Sequence, residues 1–106
     1  FATTGVGKVE ERDAGNIFSQ INAKPVRSPY ARDVLRAIES RQGLPFTTRW
    51  LAASMPLMKA KLGIRELLMN GNIIAHPPLV EAGNGMVAVT EHTLLVTKDG
   101  CEVLTE

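Results

Sequence analysis

The segment Met86 to Val96, MVAVTEHTLLV, alternates with the two-residue period of a β-strand. Met86, Ala88, Thr90, His92, Leu94 and Val96 fall on one face, and Val87, Val89, Glu91, Thr93 and Leu95 on the other. Thr97-Lys98-Asp99-Gly100 separates this run from a second, Cys101 to Thr105, and Asp-Gly between two apolar runs signals a hairpin. The strand is therefore expected inside an antiparallel sheet. Glu91 is the residue that breaks the pattern. Its face suits burial, and an ionised carboxylate is not buried unless it is paired or binds a metal. Periodicity alone leaves it three settings: beside an Arg or Lys, toward solvent, or on a cation, and one carboxylate does not define a metal site. His92 points to the opposite face of the same strand.

Taken from its start, the chain first reads as strands joined by turns. Gly5-Val6-Gly7-Lys8 follows a small and apolar opening, but the Walker spacing needs more residues between the glycines and a Ser or Thr after the lysine, so a turn is expected. Lys8 to Glu11 and Asn16 to Ile21 read as short strands about a turn at Asp13-Ala14-Gly15. The period then changes. Ser28 is placed to cap a helix and Pro29 to open it. Ala31, Val34, Leu35 and Ile38 follow on one face, and Gly43 stands where a left-handed C-cap is expected. A second, short helix is expected from Pro45, with Phe46 and Trp50 one turn apart and Trp50 as a core anchor. Met55-Pro56 interrupts it. A third helix is expected from about Pro56 to Met69, with Leu57, Ala60, Ile64, Leu67 and Leu68 on one stripe and Asn70-Gly71 at its end. Ile73 to His76 returns to extended structure, and Pro77-Pro78 stiffens the chain before the last strands. Strands, three helices and strands in that order describe an α+β chain in which a helical block interrupts a sheet.

The charge is uneven. Residues 24 to 66 carry nine of the twelve basic residues, Lys24, Arg27, Arg32, Arg36, Arg41, Arg49, Lys59, Lys61 and Arg65, against three acids, Asp33, Glu39 and Glu66. The local balance is +6, and the helical block is the basic block. Such asymmetry suits either a polyanion-binding surface or a solvated helical face. The single cysteine, Cys101, has no partner at a metal-binding spacing, reads as a small core residue and fits a reducing compartment. No apolar run approaches the ~20 residues needed to span a bilayer and no signal-peptide pattern opens the chain, so no membrane partner and a cytoplasmic location are expected. Phe1 opens in what reads as the end of a strand already under way, so a preceding segment is expected.

Three stretches together resemble the C-terminal part of type 2 methionine aminopeptidases, the archaeal members above all. They are FATTGVGKV at residues 1 to 9, LPFTTRWL at 44 to 51 with its following helix and HPPLVE at 76 to 81, and AVTEHTLLVTKDGCEVLT at 88 to 105. The resemblance implies the C-terminal half of a pita-bread fold, interrupted by a three-helix, winged-helix-like insertion. It divides the chain into residues 1–24 as the first part of a catalytic-domain sheet, 25–77 as the insertion, and 78–106 as returning strands.

The same resemblance implies roles. Glu91 matches the family's last metal-binding glutamate, which bridges two divalent ions, whether Co, Mn, Fe or Zn. The other four ligands would lie upstream, one of them two residues before Phe1, in a missing N-terminal half of the same protein. His76 stands where the family generally has Tyr beside the substrate. Ile17 and Pro45 fall at positions that shape the pocket for the methionine side chain, Ile17 in place of a histidine found in some members. Val89 departs from the usual Gln and removes a hydrogen-bonding group. The implied activity is removal of N-terminal methionine from nascent polypeptides by a dinuclear metalloprotease, with the present segment inactive alone. The alternative is a non-catalytic ribosome- or RNA-binding module that uses the basic helical block.

Overall fold

Proline at the first turn and a glycine past the last one bracket the two long helices. Pro29 opens α1, Pro29–Glu39, where its missing N–H leaves no bond unmade. Gly71, at φ 75°, closes α3, Leu57–Asn70, in the left-handed conformation that glycine adopts without strain. Around them the computed structural model, which describes residues 1–13 and 15–106, places strands β1 Val9–Glu11, β2 Ile17–Gln20, β3 Phe46–Thr47, β4 Ile73–His76, β5 Leu79–Glu81, β6 Leu94–Thr97 and β7 Gly100–Val103, and a one-turn helix α2 Thr48–Leu51. The expected turn at Asp13-Ala14-Gly15 includes Ala14 and lies outside the described residues. Helices and strands are thus mixed, with strand β3 inside the expected helical block, and the chain divides into two compact units, Phe1–Glu10 with Leu79–Glu106, and Glu11–Pro78. Among the described residues no helix is long and apolar enough to cross a membrane.

The unit of residues 11–78 is built on a three-stranded antiparallel sheet in the order β3-β2-β4, with α1 and α3 packed against each other. Ala31, Val34 and Ile38 of α1 and Ala60, Ile64 and Leu67 of α3 meet Phe18, Phe46, Leu51 and Ile73 in one core. Leu35, expected on the same stripe, is only partly buried. The Phe18 and Phe46 rings sit 5.8 Å apart at 37°, a tilted pairing that adds to their burial. The helices approach closely because α3 presents Gly63 to α1. A Cβ there would sit 2.6 Å from Val34 Cγ2 and 2.7 Å from the Tyr30 carbonyl oxygen. Outside this contact Lys59 Nζ reaches Asp33 Oδ2 at 2.6 Å. That hydrogen bond holds the Asp33 carboxyl below its ordinary value of 3.8.

Several local expectations are corrected. Ser28 lies at the cap position of α1 but makes no side-chain cap hydrogen bond. Gly43 has φ 84° yet belongs to the turn after the helix, which has already ended at Ser40. The second helix begins at Thr48 rather than Pro45, because Phe46 and Thr47 pair with Phe18 and Ile17 of β2. A ladder thus overrides the i, i+4 pairing of Phe46 with Trp50. Trp50 is consequently not a core anchor. It is 46% exposed, and the Arg41 guanidinium lies 3.9 Å from its ring centre.

In the other unit the expected long strand forms only in part. β6 and β7 make the hairpin, with Thr97 opposite Gly100 and Leu94 opposite Val103. Residues 86–93 lie outside the strands apart from one antiparallel bridge, Val87 to Ala2. The ladder partner is the opening segment. Thr3 N donates to Met86 O at 2.8 Å, and Phe1 and Ala88 exchange two bonds of 2.8 Å. Glu91 and its neighbours are exposed rather than buried, and Cys101, expected in a core, is exposed as well.

The buried carboxylate of this unit is instead Glu81, which is 1% exposed. Its Oε1 accepts the backbone N–H groups of Val6 at 2.5 Å and Gly7 at 3.0 Å, and its Oε2 those of Gly83 at 2.6 Å and Gly85 at 2.8 Å. Gly5, at φ 81°, has no room for a side chain, since a Cβ would overlap the Glu81 carboxylate. These donors, Gly85 foremost, hold the Glu81 pKa below its ordinary value of 4.5 against the opposing effect of desolvation.

Two outcomes follow for stability. Gly63→Ala is expected to overpack the α1–α3 contact, a defect that costs about 1–3 kcal/mol, while alanine's helix propensity offsets at most about 1 kcal/mol of it. Urea denaturation followed by circular dichroism measures the net loss, and a raised midpoint would refute the close contact. Because the folded-state pKa values of Asp33 and Glu81 are depressed, their stabilisation is complete above the ordinary values of 3.8 and 4.5 and is lost as pH falls from there through the lower folded-state values. The urea midpoint is expected to drop as pH is lowered from 4.5, and Glu81→Gln to flatten that drop. An equal drop in the variant would contradict the assignment.

Candidate functional site

Alternation along β2 turns Phe18 into the core and leaves Ile17 and Ser19 on the outer face of the three-stranded sheet. Antiparallel pairing then sets Ile17 between two cross-strand partners, Thr47 on β3 and His76 on β4. Side chains directly opposite in such a ladder share a face, so Thr47, Ile17 and His76 form a row across the sheet. His76 is exposed, Ile17 is half exposed and Thr47 is partly buried. The His76 ring is held from within the same face: Ser19 Oγ lies 2.7 Å from its Nε2.

Pro45 immediately precedes β3. Together with Ile17, Asn16, Phe46, Thr47, Arg49 and Trp50 it lines a cavity of about 510 Å³, within the range of small-molecule sites. The wall is fixed by a hydrogen bond from Thr48 Oγ1 to Asn16 Oδ1 at 2.9 Å, which ties the start of α2 to the residue before β2. Three of the four side chains singled out in the sequence, Ile17, Pro45 and His76, thus belong to one outer face. Asn16, Ser19, Arg49 and Trp50 were not singled out as site residues. Ser19 could have been found from its two-residue spacing to Ile17, whereas Asn16 joins the cavity through a contact 32 residues away in sequence, which no local pattern carries.

Glu91 lies in the other unit. Its carboxylate is exposed and has no ion-pair partner among the described residues. It is therefore available as an anionic ligand, but as one donor only: among the described residues no three His, Cys, Asp or Glu side chains converge to hold a metal. Val89 is 74% exposed on the same extended segment. The neighbouring His92 is engaged through Nδ1 with the Thr105 carbonyl. The glycine-rich turn Gly5-Val6-Gly7 does present backbone N–H groups to an anion, but that anion is the chain's own Glu81.

The basic block also gathers locally. Lys24, Arg32 and Arg36, with Glu39, line a groove of about 320 Å³ floored by Val26 and Leu35. Among the described residues only Arg36 of the three forms an ion pair, with Asp33 at 3.9 Å.

No protein-family model matches the chain. Among curated proteins, the methionine aminopeptidase of Archaeoglobus fulgidus is 41% identical over 107 residues, which takes in 100% of this chain and 35% of the relative. That of Thermococcus onnurineus is 42% identical over 106 residues, covering 99% of this chain and 36% of the relative. That of Methanocaldococcus jannaschii is 36% identical over 107 residues, covering 100% and 35%. The chain therefore spans about a third of the length of the curated relatives it matches. Among solved structures, a thermophilic Arx1 superposes with a TM-score of 0.75 at 20% identity, over 93% of this chain and 27% of that one, which shows a shared fold over that region.

Proposed function

We propose, from the premise that archaeal methionine aminopeptidases are homologues of this chain over its whole length, that the chain is the C-terminal part of a metal-dependent enzyme that removes N-terminal methionine from nascent polypeptides. The observation that carries the reading is identity of about two residues in five across the entire chain, 41% with the first relative. In this reading residues 1–24 and 78–106 belong to the sheet of a pita-bread catalytic domain, and residues 25–77 are a winged-helix-like insertion. The fold shared with Arx1 supports the same architecture.

Ile17 and Pro45 form the apolar wall for an unbranched thioether side chain, supported by the cavity they both line. His76 stands on the same face, next to Ile17 across the ladder. The Ser19 hydroxyl engages Nε2, which leaves Nδ1 to hold the substrate. Glu91 is the metal ligand. An exposed, unpaired carboxylate fits that role, and the four remaining ligands would come from an N-terminal portion of the same protein. When bound, the two divalent ions supply a Lewis acid for the scissile carbonyl and lower the pKa of water. Glu91 contributes the negative charge that offsets their mutual repulsion.

The deciding assay is metal-dependent release of methionine from Met-Ala-Ser by the longest natural polypeptide that contains this segment. Release is expected to vanish with chelator and, together with metal loading, in Glu91→Ala. Near-normal release by a folded Glu91→Ala protein would overturn the assignment. Residues 1–106 alone are expected to be inactive.

The groove of Lys24, Arg32 and Arg36 favours a second reading, in which the basic block docks on ribosomal or other RNA. Phosphate contacts make affinity fall steeply with salt. Binding that is absent, or indifferent to salt, would remove this reading.

A further inference from the structure

Trp50 is the only tryptophan of the chain, and the core does not use it. It stands 46% exposed on α2, with the Arg41 guanidinium 3.9 Å from its ring centre. Stacking of this kind stabilises an exposed aromatic by about 0.5–1 kcal/mol and holds it in one orientation. Arg41 is not part of the cavity wall, whereas Trp50 is. The indole is thus braced outside the cavity and contributes to its lining.

Arg49 lines the same cavity. Its side chain is exposed, and among the described residues it forms no ion pair. The cavity lining is therefore chemically mixed: Ile17, Pro45 and Phe46 are apolar, whereas Arg49 offers a cation and Trp50 an aromatic ring. A methionine side chain is a short, unbranched thioether and occupies only part of about 510 Å³. Arg49 lines the same space without an ion-pair partner among the described residues, which suits a side-chain carboxylate better than a lysine ammonium.

We infer that Arg49 and Trp50 form a specificity subsite for the polypeptide beyond its first residue, selecting substrates with acidic side chains close to the N-terminal methionine. The inference rests on the reading of Ile17 and Pro45 as the methionine pocket, and it adds a charge preference that the apolar pocket cannot produce. Arg49 reads the carboxylate, and Trp50 packs against the extended chain that carries it.

The test uses the longest natural polypeptide containing this segment and two peptides, Met-Ala-Glu-Glu-Ser and Met-Ala-Lys-Lys-Ser. For an exposed ion pair the expected kcat/KM ratio in favour of the acidic peptide is about threefold to fivefold, carried by KM, diminished by added salt and reduced to about one in Arg49→Gln. Arg49→Lys is expected to restore part of it. Equal kcat/KM for both peptides, or a preference that persists in Arg49→Gln, overturns the inference while leaving methionine release intact. A second readout separates it from the proposed activity: the Trp50 fluorescence change, defined by its loss in Trp50→Phe, is expected on titration with the acidic peptide and not with the basic one. Absence of methionine release speaks against the proposed enzyme alone. Absence of any charge-selective fluorescence change speaks against the subsite.

Discussion

The carboxylate of Glu81 is the point on which the unit of residues 1–10 and 79–106 depends. Four backbone N–H groups from two glycine-rich turns converge on it, so the chain that departs after Gly7 returns to the same anion at Gly83 and Gly85. A buried charge without such donors would be costly. With them it acts as a clasp across 75 residues of sequence. The glycines follow from the clasp. Gly5 must leave space for the carboxylate, and Gly85 lies so near the Thr4 carbonyl that a Cβ would overlap it. A turn that looks like a partial phosphate loop is thereby a loop whose anion is already supplied by the protein.

In the unit of residues 11–78 the equivalent role falls to β2, whose two faces have opposite duties. Phe18 anchors the helices through Phe46 and the core beneath, and the rigidity of that packing fixes the outer face that bears Ile17, Thr47 and His76. A site on strands backed by a packed core is held more accurately than one on loops. The same packing explains Trp50. Once Phe46 is drawn into the ladder, α2 is left with a single turn, and the core it offers is filled by Leu51. The tryptophan is displaced to the rim, where Arg41 covers one side of it.

Local chemistry was legible wherever the determining contacts lie within a few residues. Helices α1 and α3, the proline that opens α1, the glycine that closes α3, the hairpin about Asp99-Gly100 and the brief strand before Pro77 all stand where pattern places them, although Leu57 and Leu68 of the expected α3 stripe are exposed. The homology to methionine aminopeptidases was legible too, because it is carried by runs of residues in order. What failed was inference about burial. Alternation around Glu91 describes a strand with an apolar face, but burial requires an opposing surface, and among the described residues the bridge at Val87 and the bonds of Ala88 are not continued to Glu91.

The sequence by itself determined the two long helices, the hairpin turn at Asp99-Gly100 and the family likeness, since each is encoded by neighbours three or four residues apart or by contiguous motifs. Only the tertiary structure decided which carboxylate is buried, which aromatic anchors the core and which side chains share the cavity beside Ile17. Those outcomes rest on contacts between residues far apart in the chain: Glu81 with Val6, Phe46 with Phe18, Thr48 with Asn16. Their energies depend on desolvation and on the geometry of surrounding donors. Neither quantity exists until the segments have come together.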